Sequence, residues 1–167
     1  MLLTAIYEAI QTRLKADTGT GGLYNGGSWK MVTGGVYAVY GSPNPVTGPY
    51  LVFTVRMDQA HTTVGDEYNC VATFRIYAHT QESASDDNIG LTIIAALDRI
   101  HGNAVLRNGR VPTYGFNRHM LVLPTNTYSA VGGGCICNTY DVEQIDEHTA
   151  VGTVEVAFRI AAIAANP

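Results

Sequence analysis

The sequence predicts an α+β domain: an antiparallel or mixed β-sheet with two helices packed on one face, and a long Gly/Pro-rich loop. Three observations carry this reading. Apolar residues recur at spacings of three and four in two windows, near either end of the first hundred residues. They alternate with polar residues in several other windows, which is the period of a strand. The strands come in runs instead of alternating singly with helices, a pattern that favours helices gathered on one side of a sheet.

Leu2, Leu3, Ile6, Ile10 and Leu14 share one face of a helix over residues 2–15, and the glycine-rich stretch after Asp17 ends it. Glycines and prolines crowd residues 17–49. So long an irregular segment in a compact domain is unusual and often functional. Only Val36–Tyr40 within it reads as a short strand, stopped by the prolines that follow.

Tyr50–Arg56 is a strand by its β-branched and aromatic content, and Asp58–Glu67 is a polar connection. Tyr68–His79 alternates: Cys70, Ala72, Phe74, Ile76 and Ala78 face one way, and Val71, Thr73, Arg75 and Tyr77 the other. A second helix follows. Ser83 or Ser85 caps it, Asp86 and Asp87 sit in its positive first turn, and Ile89, Ile93, Leu97 and Ile100 line its apolar face beside Ile94 and Ala96. Arg99 and His101 complement its last turn, and Gly102 is the stop.

Asn108-Gly109 between Ala104–Leu106 and Val111–Thr113 signals a hairpin. Met120–Leu123 reads as a strand ending at Pro124, Gly132–Gly134 as a flexible tip, and Cys137–Gln144 as another strand. Val151–Ile163 is the last and strongest strand. Its Val154, Val156, Phe158 and Ile160 face inward, and Thr153, Glu155 and Arg159 face outward. At 167 residues, with no internal repeat, the chain makes a single domain, 1–167.

Composition narrows the function. The net charge is −4, and the 10 Lys and Arg residues are scattered, which argues against specific nucleic-acid binding. Apolar residues make up 46% and charged residues only 14%, a lightly charged surface of the kind that partners cover. The start lacks the basic residues of a secretory signal, and no segment approaches the ~20 apolar residues of a membrane span. Three cysteines, Cys70, Cys135 and Cys137, make no disulfide framework, and Cys135-Ile136-Cys137 offers two ligands where zinc wants four.

Catalytic patterns are broken where they begin. Gly22 to Gly27 has phosphate-loop spacing, but Ser28 stands where the lysine belongs. Ser28 also lacks the closing glycine of a nucleophile elbow. No motif surrounds any of the five histidines, which read as surface or loop residues. Asp141, Glu143, Asp146 and Glu147 lack the fixed spacing of a calcium loop and read as a solvated cluster. The expectation is no enzyme, no cofactor, no metal and no catalytic residue.

Four stretches resemble the tail terminator, or tail completion, family of tailed bacteriophages. "LLTAIYEAIQTRLKAD" is similar to the family's opening helix, and "VYGSPNPVTGPYLVFTV" to its proline-marked loop and strand. "ATFRIYAHTQESASDDNIGLTIIAALDRIHG" resembles its strand, connection and second helix, and "TVEVAFRIAA" its closing strand. Together they cover most of the chain. The match lies in the order of elements, not in a catalytic signature. The long loop and the Gly132–Gly134 tip exceed a minimal family member.

The resemblance implies a homo-oligomeric ring, usually a hexamer, at the head-proximal end of the tail tube. The ring stops addition of the tube protein and presents the surface that joins the head. It implies a virion protein assembled in the host cytoplasm, with the tube protein and a head–tail connector or stopper as partners. Genomic DNA passes through without specific binding, and no membrane is involved. For such a ring the candidate interface residues are Trp29, Tyr40, Arg75, Tyr128, Glu155 and Arg159, with loop 17–49 ordered by neighbouring subunits. The acidic cluster Asp141, Glu143, Asp146 and Glu147 becomes a candidate lumen lining. The alternatives are another neck protein, connector or stopper, or a small cytoplasmic ligand-binding domain or enzyme.

Overall fold

The expected first helix forms as α1, Leu2–Lys15, and buries Ala5, Ile6, Ala9, Ile10 and Leu14 along one stripe. The structure, a computed structural model, describes residues 1–39, 41–43, 48–59, 66–79, 87–102 and 114–163. Tyr40, the helix cap at Ser83 or Ser85 with Asp86, and the hairpin expected around Asn108-Gly109 lie outside the described residues.

Residues 17–39 are more ordered than an irregular loop. Strands β1 (Tyr24–Asn25) and β2 (Ser28–Trp29) make a small antiparallel hairpin. Its turn is Gly26-Gly27, with φ of 57° and 78°, the left-handed pair that a two-residue hairpin turn demands. The expected short strand appears as β3, Gly35–Ala38.

β3 runs parallel to β4 (Tyr50–Gln59), which extends past the expected end at Arg56 into the polar connection. β4 pairs antiparallel with β5 (Glu67–His79). Helix α2 (Asp87–His101) follows, then β6 (Tyr128–Asp146) and β7 (Thr149–Ala162), a long antiparallel hairpin. β7 inserts beside β5, so the sheet order is β3-β4-β5-β7-β6. One parallel pair among antiparallel ones makes the sheet mixed, as the sequence predicts.

Both helices lie on the same face. Phe53 pairs with Phe74, and Ile76 with Gly152, so all four positions share that face. Tyr7 of α1 packs its ring 5.3 Å from Phe53. Ile93 and Leu97 of α2 sit directly over Gly152. The alternation read from β5 and β7 holds: Cys70, Ala72, Phe74, Ile76, Ala78, Val154, Val156, Phe158 and Ile160 are all buried in one core with the two helices. Ile94 departs from expectation. It is exposed, because the buried face of α2 is set by Ile93, Ala96, Leu97 and Ile100.

α2 ends at Gly102, whose φ of 74° turns the chain sharply. The chain then crosses its own helix end at close range. A Cβ on Gly115 would fall 2.3 Å from the Gly102 Cα, so only glycine permits the approach. Backbone bonds from Phe116 to Ile100 and from Asn117 to His101 fix the crossing.

Two strand-level expectations change. Met120–Leu123 joins no ladder. It alternates outward and inward, with Leu121 and Leu123 buried, but it lies beside α1 instead of beside a strand. Gly132–Gly134 is not a tip. The three glycines sit inside β6, where pairing with β7 slips between Val131 and Ile136. Residues 117–119 occupy the edge of β6 there: Arg118 donates to the Cys135 carbonyl, and Cys135 to that of His119. Gly134, at φ 89°, takes the left-handed conformation that this bulge needs, with the Arg118 carbonyl too close for a side chain.

Candidate interaction surface

Among the described residues, the outer face of the sheet carries no helix. The register writes its rows directly. Val52, Arg75, Thr153 and Asp141 form one row across β4, β5, β7 and β6, and Thr54, Thr73 and Glu155 form the next. Arg56, Val71, Ala157 and Ile136 form a third. The small residues between the charges are half-buried, and Ile136 is 64% exposed.

Of the residues singled out from sequence, Arg75 and Glu155 stand on this face. Both are exposed, and neither has an ion pair among the described residues. Arg159 lies on the same face but already holds Glu67 of β5, so its charge is answered within the chain. Tyr128 lies away from them. It packs against Tyr68, with ring centroids 6.3 Å apart, and borders a cleft of about 360 Å³ under the start of α1. Trp29 packs edge-on against Tyr24 at 4.8 Å, within its own hairpin. The structure therefore gathers Arg75, Glu155 and Asp141 and leaves Trp29 and Tyr128 apart.

Asp141, Glu143 and Asp146 lie on β6 and Glu147 in the turn that follows, and all four are exposed. Asp141 and Glu143 stand on the ladder, opposite Thr153 and Val151. Asp146 accepts a bond from the His148 amide at 2.8 Å, which holds its carboxyl below the usual range and tightens the turn. Among the described residues no three His, Cys, Asp or Glu side chains converge as metal ligands. No helix among them is long and apolar enough to cross a membrane.

The cysteines are free and inward. Burial pushes the Cys70 thiol up to about 11, and Cys135 and Cys137 up to about 12. Cys137 donates weakly to the His101 carbonyl at 3.4 Å. His101 lies in the last turn of α2 with Arg99, where the sequence places it. It is half-buried, and desolvation lowers its pKa, with Asp98 opposing.

Sequence reasoning missed an aromatic cluster on the outer face, one pleat along from the row of Arg75 and Asp141. Tyr50 stacks on Tyr77 at 5.1 Å and near-parallel to His79 at 6.2 Å, with Tyr37 edge-on. The alternation of β5 held the signal, since Tyr77 and His79 share a face, but the register with β4 was needed to place Tyr50 opposite.

No protein-family model matches the chain, and no curated protein matches it.

Proposed function

We propose that this chain is a structural subunit of a tailed bacteriophage. It forms a ring at the head-proximal end of the tail tube, stops tube polymerisation and offers the surface on which the head joins. The observation that carries the proposal is the one-sided sheet. Both helices cover one face, while among the described residues nothing is packed over the opposite face or the acidic end of β6. A small domain built this way has broad, relatively flat surfaces for neighbours. The order of helix, strands, helix and strands follows the stretches that resemble tail terminators.

The charge supports the same reading. Carboxylates of Asp141, Glu143, Asp146 and Glu147 repel phosphate, so a channel lined by them passes DNA without holding it. Head-to-tail contacts close into a ring when the rotation between copies divides the circle.

Electron microscopy of particles made without this chain tests the proposal. Overlong tails are the expected result. Tails of normal length beside full, unjoined heads assign the chain to the connector or stopper role instead. Normally built and joined virions overturn both.

A further inference from the structure

We infer that the uncovered face of the sheet is a self-association surface, occupied by a second copy related by a two-fold axis running along the strands. This goes beyond the ring: it is the pairing of the free chain, on the same face that the ring reading leaves open to neighbours. The first ground is charge. With Arg159 of β7 answered by Glu67 of β5, and Arg56 by Asp58 on β4, the remaining charges are polarised across the strands: Arg75 lies on β5, and Glu155 and Asp141 lie on β7 and β6. Arg75 shares a row with Thr153 and Asp141, and Glu155 stands one pleat along β7. None of the three has an ion pair among the described residues.

A two-fold axis between β5 and β7, parallel to them, reverses the strand order of the second copy. β5 then faces β7, and β4 faces β6. Arg75 comes over Thr153 of the second copy, within a long side chain's reach of its Glu155 and Asp141. The reciprocal contact forms at the same time, because the interface is isologous. A two-fold axis perpendicular to the strands sets each strand over itself, so β6, with Asp141 and Glu143, lies over the same strand of the second copy. The first arrangement instead sets β6 over β4, whose Asp58 is already held by Arg56, and charge favours it. Between the charges, Val71 meets Ala157, and the exposed Ile136 comes under the aliphatic stem of Arg56.

The second ground is area. Four strands spaced ~4.8 Å apart, over about ten residues at ~3.4 Å each, present roughly 650 Å² per copy. The pair buries about 1,300 Å², inside the range of about 1,200–2,000 Å² that stable interfaces occupy. Two such sheets pack about 10 Å apart with strands nearly aligned.

Sedimentation of the purified chain over a concentration series, with native mass measurement, tests this. The expected species is a dimer. Arg75→Glu or Glu155→Arg should each weaken it at least tenfold, since each reversal appears twice across a two-fold contact. The double variant should recover to within a few-fold of the wild type. Both positions are exposed, and circular dichroism checks that each variant is folded. A wild type that stays monomeric overturns the inference, as does any oligomer that neither reversal weakens. A hexamer indifferent to both reversals overturns this inference and leaves the ring standing. Charge-rescued dimers from a chain whose loss leaves virions intact do the reverse.

Discussion

Asp17 and Arg99, 82 residues apart in sequence, form a two-pronged ion pair beneath the surface. Arg99 Nε donates to Asp17 Oδ2 at 2.9 Å, and Nη2 donates to Oδ1. Asp17 is only 3% exposed. Its Oδ2 also accepts from the Leu23 amide at 2.9 Å, and the Arg99 guanidinium lies 3.5 Å over the Tyr114 ring. One carboxylate thus ties the end of α1, the turn into β1 and the last turn of α2. Arg13 adds a bond to the Gly115 carbonyl at 2.7 Å beside it.

Removing one partner of such a pair leaves the other charge buried and unanswered, which costs about 3–5 kcal/mol. Asp17→Ala should fall at the lower end, because Arg99 keeps its stack on Tyr114 and some access to water. Replacing both residues with apolar ones should cost less than Asp17→Ala alone. Urea unfolding of the two variants checks the order. A double replacement that costs more than Asp17→Ala alone counts against coupling.

Gly152 is required by packing, not by backbone conformation. A Cβ there would lie 2.2 Å from Ile93 Cγ2 and 2.8 Å from Leu97 Cδ1, so the sheet and α2 touch through a missing side chain. Gly152→Ala should cost ~1–3 kcal/mol by overpacking. Gly133, by contrast, has nothing within 4 Å of where a Cβ would sit and no positive φ. Gly133→Ala should be neutral or stabilising by up to ~1 kcal/mol, through a less free unfolded chain. Thermal melts of the pair separate the two cases.

The legible parts of this fold are those whose signal is local. Periodicity alone found α1, the inward row of β5 and the inward row of β7, because each keeps one face in one core. The triple glycine of β6 misled because its meaning depends on a distant segment: Arg118 and His119 bond across the bulge that Gly134 allows. Met120–Leu123 alternates like a strand, yet alternation requires only an extended chain with one side buried. It does not require a ladder. Arg75 and Glu155 could be listed as outward from their own strands, but their placement with Asp141 needed the order β5-β7-β6. The Asp17–Arg99 pair left no trace in either local sequence.

His101 makes stability fall with acid. Its folded pKa is lowered by burial, so the unfolded chain binds a proton more readily than the folded one. Its neutral form is free of penalty above the unfolded value of about 6.5. Stability is lost as pH falls from there toward the lower folded pKa. Urea midpoints should therefore drop between pH 7.5 and pH 5.5, and His101→Gln should flatten that slope. An unchanged slope in the variant assigns the loss to other groups.

The three thiols should be inert in the native protein. At about 11 for Cys70 and about 12 for Cys135 and Cys137, less than about a hundredth of each is thiolate at pH 8. Cys70 and Cys135 are also fully covered, so a reagent needs both an opening of the fold and a lost proton. Reaction with a disulfide reagent should be slow and should accelerate with added urea in step with unfolding. Cys137 is the least covered and should react first. A thiol that reacts at the rate of a free cysteine in the absence of denaturant contradicts the packing of the inner face of β5 or β6 that holds it. Asp17→Ala should speed the reaction of Cys135 more than that of Cys70, because Arg13, which lies by both Asp17 and Cys135, sits at the junction this carboxylate holds.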